Sequence, residues 1–309
     1  MAMENSKILV IGGVNVDIGA RPDKPLIQND SNPGNITTSL GGVARNIAHN
    51  LCLLGEKPTL LCALGDDLYA DEVLLKCEEA GIGMQEALRV SGEMTSTYLF
   101  IDDENGEMQL AVSDMHVCDH LTTEYFASKI GLIKTADLIV LDTNIPEESI
   151  RFILESADAP VVVDPVSVSK AAKLSSCLGK IHTLKPNRLE AEALSGIRIT
   201  DVASCRRAAN ELLSKGVQRV FISLGSEGVL AAQQDMTLQI PCFEASVVNT
   251  TGAGDAFMAA CCKATVMGCS LEETARMGAA AAAIAIESPF TIHDGLCMEM
   301  LKARMQAGE

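Results

Sequence analysis

The chain has 309 residues, with hydrophobic residues at 48% and charged residues at 21%, which supplies a sizeable core and excludes a disordered chain. A formal charge of −17, no Lys/Arg run to offset it, and 3% aromatics without tryptophan exclude a nucleic-acid polymer as partner. The eleven cysteines are scattered and never spaced Cys-x-x-Cys, so they read as buried free thiols in a reducing cytoplasm rather than as a disulfide framework.

Residues 1 to 6 lack a basic stretch and the next apolar run is short, so neither a signal peptide nor a membrane span is expected. The run 7 to 12 (KILVIG) predicts a strand. From 14 to 40 the chain is polar and extended around Asn32-Pro33-Gly34. Within it Asn15 and Asp17 alternate with Val14 and Val16, so both project from one strand face and could hydrogen-bond a vicinal diol. Gly41-Gly42 makes a tight turn and places the amide of Asn46 at the start of a helix over 43 to 54. A strand over 58 to 64 and a helix over 67 to 80 follow. Two alternating runs over 95 to 112 flank Asn105-Gly106, a strong hairpin signal. With 14 to 40 they are expected to form a small β-lid over one end of a sheet; surface hairpins without a role are the alternative.

Further on, strands at 137 to 141 (DLIVL), 160 to 163, 181 to 184 and 219 to 224 (RVFISL) alternate with helices at 122 to 134, 146 to 156, 187 to 195 and 202 to 215. This rhythm predicts an α/β domain with a mostly parallel sheet flanked by helices, spanning 1 to 309 without a linker. Lys185-Pro186-Asn187-Arg188-Leu189-Glu190 ends one strand and opens a helix. Asn187 and Glu190, three apart, share a side and could hold waters on Mg²⁺, or could cap the helix reciprocally. Ser223-Leu224-Gly225-Ser226-Glu227-Gly228 ends another strand, where parallel sheets bind ligands; an ordinary hairpin turn is the alternative.

Asn249-Thr250-Thr251-Gly252-Ala253-Gly254-Asp255 carries the most chemistry. It opens the first of two runs of small residues, 256 to 264 and 278 to 286, which predict closely packed buried helices. The glycines let backbone N–H groups approach an anion at a helix start, and Asp255 stands beside them to accept a proton from an attacking hydroxyl. The other reading is an acidic residue that merely begins a helix. No Gly-x-x-x-x-Gly-Lys-Ser/Thr occurs, since Gly179-Lys180 is followed by Ile181, and Phe257 occupies the third-glycine position of a dinucleotide fingerprint.

Gly41-Gly42 with Asn46, Lys185-Pro186-Asn187 with Glu190, and Thr251-Gly252-Ala253-Gly254-Asp255, in this order, resemble the ribokinase-like (PfkB) family of sugar and nucleoside kinases over essentially the whole chain. The resemblance implies a doubly wound, three-layer αβα fold with a β-lid, and Asp255 as catalytic base beside the Gly252, Ala253 and Gly254 amides. It further implies ATP lying across the strand ends near Lys185, Asn187, Ser223, Gly225, Gly228, Thr251 and Gly254. Mg²⁺ would be held through water by Asn187 and Glu190, and acceptor hydroxyls by Asn15, Asp17, Gly41, Gly42 and Asn46.

Four longer stretches are similar to the branch of that family acting on pseudouridine: Ser31 to Gly34, Gly41 to Ala48, Asp164 to Ser167, and Ile181 to Glu192. For that substrate Ser113, Asp114 and Met115 could read the extra ring N–H, with polar and flexible apolar contacts in place of aromatic stacking. Many family members carry Asp where this chain has Asn249, at a position that often helps bind a monovalent cation, so K⁺ activation is an open expectation. His116 and His120 read as a polar loop rather than a zinc site. An exposed lid strand suggests a homodimer. A kinase for ribose, adenosine or a hexose is the alternative, and a non-catalytic nucleoside sensor a more distant one.

Overall fold

A computed structural model describes residues 6–307, so the reading of residues 1 to 6 lies, except for Ser6, outside the described residues. In chain order, β1 (Ile8–Ile11), β2 (Asn15–Pro22) and β3 (Gly34–Gly41) precede α1 (Val43–Leu53). Then come β4 (Thr59–Leu61), β5 (Ala63–Leu64), α2 (Leu68–Glu79), β6 (Leu88–Arg89), β7 (Thr97–Asp102), β8 (Met108–Asp114), α3 (Thr123–Ser128), α4 (Ile130–Thr135) and β9 (Leu138–Asp142). The chain continues through α5 (Glu147–Ser156), β10 (Val161–Asp164), α6 (Val168–Ala171), β11 (Thr183–Leu184), α7 (Arg188–Ser195), α8 (Val202–Ser214) and β12 (Arg219–Ser223). It closes with β13 (Val229–Gln233), β14 (Met236–Ile240), α9 (Ala253–Val266), α10 (Leu271–Ala285) and α11 (Met298–Ala307).

Eight strands form the main sheet in the order β14-β13-β12-β11-β10-β9-β1-β4. All pairs from β12 to β4 are parallel, and β13 and β14 add an antiparallel edge. Strand alternation sorts the core into two layers. Leu9, Ile11, Ile139, Leu141, Val161 and Val163 pack with Phe126, Ile150, Ile153 and Leu212 on one side. Ile8, Val10, Leu138, Val140 and Val162 pack with Ile47, Leu51, Met258 and Ile284 on the other. Buried on both faces, these strands need the continuous apolar runs seen in the sequence. Helices therefore cover both sides, the α/β three-layer arrangement expected.

The stretches 14 to 40 and 95 to 112 build a separate four-stranded sheet, β3-β2-β7-β8. Its two faces differ sharply, as the register shows. One carries Asn15, Asp17, Tyr98, Phe100 and Ser113. The other carries Ile18, Ile36, Leu99, Leu110 and Val112, of which Ile36 is 73% and Val112 57% exposed.

Local departures have local causes. The strand expected over 58 to 64 divides after Leu61, and Ala63–Leu64 pairs instead with β6. The helix expected over 122 to 134 breaks at Lys129, whose φ of −103° is not helical. The β13–β14 hairpin was not anticipated, because its turn places Gln234 at φ 48° where Gly or Asn would have signalled it.

Candidate active site

The sheet order reverses between β1 and β9: β1 leads by way of α1 to β4 on one side, and the later strands build away on the other. Such a switch point leaves a crevice at the strand C-termini. Gly12 and Gly13 end β1 there, against the buried carboxylate of Asp142 at the end of β9. A Cβ on Gly12 would lie 2.3 Å from Asp142 Cγ. Asp142 accepts hydrogen bonds from the N–H of Gly13 (2.9 Å), Ala44 (3.0 Å) and Asn144 (2.8 Å). Burial raises its pKa, and these donors oppose the rise. It thus ties the β1 turn to the start of α1, a helix whose Gly42 N-cap offers no side chain.

Asn15 and Asp17 share one face of β2, as their alternation required, and Asn15 Nδ2 donates to Asp17 Oδ1 at 2.6 Å. Gly41 is needed beside them, since a Cβ would meet Asp17 Oδ2 at 2.3 Å. Burial raises the Asp17 pKa, against the Asn15 hydrogen bond and the charge of Arg45. Met115 belongs here too: an added Cβ on Gly13 would lie 2.6 Å from Asn144 Nδ2 and 2.9 Å from Met115 Cε. Ser113 and Asp114 are exposed. Ser113 stands in register with Asp17, but two strands away with Tyr98 between. Tyr98 and Phe100 lie on the Asp17 face with ring centroids 5.9 Å apart, and Phe100 covers Gly19.

Asp255 arrives from the far end of the chain on the first turn of α9. Gly252 caps that helix at φ 84°, with no side-chain cap to take up its leading N–H groups. A Cβ on Gly252 would fall 2.1 Å from Thr291 O, so only glycine allows this approach. Asn46 Nδ2 donates to Asp255 Oδ2 at 2.8 Å, and Arg45 Nη1 donates to Asn46 Oδ1 at 2.7 Å. Asp255 is partly exposed, next in the chain to the cavity-lining Gly254, yet protein surrounds it densely enough that burial dominates. Its pKa is pushed up to about 7, Asp164 adding to the rise and Asn46 and Lys185 opposing it.

Beyond Asp255 opens a cavity of about 720 Å³, walled by Lys185, Asn187, Ser223, Gly225, Gly228 and Gly254. These are six of the seven residues expected to bind the nucleotide. Thr250 lines it where Thr251 was expected; Thr251 is exposed and its N–H bonds to Asn249 Oδ1. Apart from Arg188, Ser226 and Thr250 the rest of the wall is mostly apolar, with Leu224, Val229, Phe257, Ala279, Ala282 and Ile286 among its residues. Lys185 is buried and donates to Asp164 Oδ2 at 3.1 Å. A Cβ on Gly254 would sit 2.8 Å from Lys185 Nζ, so the ammonium lies against the α9 start. Burial would depress the Lys185 pKa, but the carboxylates of Asp164 and Asp255 outweigh it and the net shift is upward. Asp164 Oδ1 also accepts from Val166 N, at 2.8 Å, where φ of 64° is strained for a β-branched residue.

Asn187 and Glu190 form a reciprocal capping box: Asn187 Oδ1 accepts from Glu190 N at 3.0 Å and Glu190 Oε2 from Asn187 N at 2.8 Å. Glu190 is 3% exposed, behind Asn187. The Ser223 to Gly228 turn is both things considered for it, a hairpin connection into β13 and a wall of the cavity. Asn249 donates from Nδ2 to Pro289 O at 3.3 Å. His116 and His120 take separate carboxylates, Asp114 and Glu93. Among the described residues no group of three or more His, Cys, Asp or Glu could hold a metal ion directly.

Sequence reasoning missed Arg45, Asp142, Asn144, Asp164 as a lysine partner, and the aromatic pair. Asp142 and Asp164 each close an apolar strand, and an acidic residue at that point was the available signal. Nothing local marks Arg45, whose charged partners Asp17 and Asp255 come from other elements.

The pfkB family carbohydrate kinase model matches residues 5–296. Pseudouridine kinase of Escherichia coli strain K12 is 39% identical over 293 residues, covering 93% of each chain. An uncharacterized sugar kinase of the same organism, YeiI, is 38% identical over 285 residues, 91% of this chain and 78% of that one. The structure of ribokinase from Thermotoga maritima superposes with a TM-score of 0.87 at 26% identity, covering 97% of this chain and 99% of that one.

Proposed function

The chain belongs to the pfkB family of carbohydrate kinases and is a phosphotransferase with an alcohol acceptor, and from that premise we propose that it transfers the γ-phosphoryl group of ATP to the 5'-hydroxyl of pseudouridine. The observation that carries the reading is the position of Asp255, whose carboxylate stands between the diol-binding pair Asn15 and Asp17 with Asn46 on one side and the cavity at the α9 start on the other.

In the mechanism, Asp17 and Asn15 hold ribose hydroxyls, and the 5'-hydroxyl lies against Asp255. The ionised carboxylate takes the hydroxyl proton as the oxygen attacks the γ-phosphorus, and ADP leaves with the bridging oxygen. N–H groups at Gly252, Ala253 and Gly254, with the Lys185 ammonium against them, meet the charge on the equatorial oxygens. The apolar wall along α10 takes the adenine, and Tyr98 and Phe100 offer faces to the uracil ring. The small sheet acts as a lid, excluding water that would otherwise capture the phosphoryl group.

Glu190 and Asn187 fit Mg²⁺ that arrives with the phosphates and keeps most of its waters, since each of their three side-chain oxygens accepts one hydrogen bond within the pair and keeps a second lone pair for a metal-bound water. When bound, the ion neutralises phosphate charge. Asn249 Oδ1 accepts from Thr251 N–H and keeps a lone pair for a monovalent cation, and K⁺ activation stays part of the same reading. The exposed apolar lid face suits a second copy of the chain, giving a lid-to-lid homodimer. Eleven free thiols suit a reducing cytoplasm, and no described helix is long and apolar enough to cross a membrane.

The test is an ADP-release assay over pseudouridine, uridine, guanosine, inosine, adenosine and ribose. The highest kcat/KM is expected for pseudouridine; activity confined to a free sugar or to a purine nucleoside would replace this substrate with that one.

A further inference from the structure

Arg45 is a buried cation that the proposed mechanism does not use. It is 9% exposed, on the first turn of α1, and its guanidinium faces Asp17 from β2, Cys77 from α2 and Asp255 from α9. One turn further along α1, His49 is pushed down to about 4 by burial and by the Arg45 charge, so it stays neutral and adds no second cation near neutral pH. The only side-chain hydrogen bond from Arg45 to an oxygen in this cluster goes to Asn46 Oδ1, at 2.7 Å.

That bond has a geometric consequence. An Asn amide has one accepting end and one donating end, and a guanidinium can only donate. With Oδ1 turned to Arg45, Nδ2 must face Asp255, as it does at 2.8 Å. Without Arg45 only the ionised carboxylate itself opposes the opposite orientation, and a protonated Asp255 would favour it by donating its O–H to Asn46 Oδ1. Asn50 Nδ2 bonds the Asn46 backbone oxygen at 2.9 Å, so it anchors the helix turn and leaves the side-chain amide free to rotate.

We propose that Arg45 is a positioning residue for the reaction, holding the Asn46 amide so that its N–H end is presented to Asp255. This rests on the reading of Asp255 as the base. Asp255 is also faced by Asp142 from β9, Asp164 from β10 and Lys185 from the end of β11. The carboxylates among these disfavour its ionised form, so the Asn46 donor opposes a large unfavourable background. Losing or reversing it makes the base harder to ionise.

The experiment compares Arg45→Met, Arg45→Lys and Asp255→Asn in the full chain, with kcat/KM for pseudouridine and KM for ATP measured from acidic to alkaline pH. In Arg45→Met the acidic limb should move up by about one pH unit, costing about fivefold at neutral pH and recovering in alkaline buffer, with KM for ATP unchanged. Arg45→Lys keeps a donor for Asn46 Oδ1 and should restore most of the limb. A folded Arg45→Met enzyme whose limb stays in place overturns the proposal and leaves Arg45 a packing residue. Arg45→Leu, which likewise offers no donor, serves the same test should the methionine variant not fold. The two readings fail separately: near-normal turnover in Asp255→Asn removes the base, whereas an inactive Asp255→Asn beside an unshifted Arg45→Met removes only the role of Arg45.

Discussion

The Asn46 side-chain amide on α1 donates to Asp255 Oδ2 on α9 at 2.8 Å, across 209 residues of chain. The contact joins the helix that follows Gly41-Gly42 to the helix capped by Gly252. It occupies one carboxylate oxygen and leaves the other for a hydroxyl proton. The carboxylate is therefore oriented before any ligand arrives, which is what a base of high effective concentration requires.

Asp255→Asn keeps this geometry and removes the proton acceptor. Turnover should fall by about 10² to 10⁴, the usual worth of a positioned base, with KM for either substrate little changed. Single-turnover phosphoryl transfer measures it, and near-normal turnover would send the search for the base elsewhere.

The same carboxylate sets the pH dependence. With its pKa pushed up to about 7, kcat/KM should rise with pH through neutrality and level off in mildly alkaline buffer. Stability should run the other way. Between the ordinary carboxylate value of 3.8 and about 7 the folded chain holds a proton that the unfolded chain has lost, so stability declines as pH rises through that window. Asp255→Asn should consequently melt higher than wild type at pH 8 and gain less at pH 5. A thermal scan at both values checks the sign; equal gains would mean that Asp255 ionisation carries no stability cost.

Asp164 and Lys185 form a buried pair, and breaking it from one side leaves the other charge unpaired. Asp164→Asn or Lys185→Met should each destabilise by about 3 to 5 kcal/mol, and the double variant by less than the sum. Urea unfolding of the three proteins gives the coupling; strict additivity would contradict the pairing.

Glu190→Ala removes half of the α7 capping box, a loss of about 1 kcal/mol by itself. It should also raise the Mg²⁺ concentration needed for half-maximal activity. If the metal titration is unchanged while stability falls, Glu190 is a capping residue alone.

The proposed lid dimer would bury an apolar face that the single chain leaves exposed. Lys in place of Leu110 and Val112 should convert a sedimenting dimer to a monomer without unfolding the main sheet. A wild-type monomer at micromolar concentration would contradict the dimer.

Much of this protein is legible without coordinates because its signals are local. Apolar runs such as 137 to 141 must be buried strands, the Asn187/Glu190 spacing encodes its own cap, and Gly252-Ala253-Gly254-Asp255 places amides and a carboxylate on one helix turn. Strand alternation alone put Asn15 and Asp17 together. What the sequence could not reveal depends on contacts between distant elements. The grip of Asp142 on Gly13 and Ala44, the Arg45–Asn46–Asp255 relay, Lys185 against Gly254, and two aromatic rings above Asp17 all follow from the order in which strands are laid into the sheets. Periodicity records which face a residue takes, and carries no information about which remote element will meet that face. Packing in three dimensions decides that, and with it the burial that pushes the Asp255 pKa up to about 7.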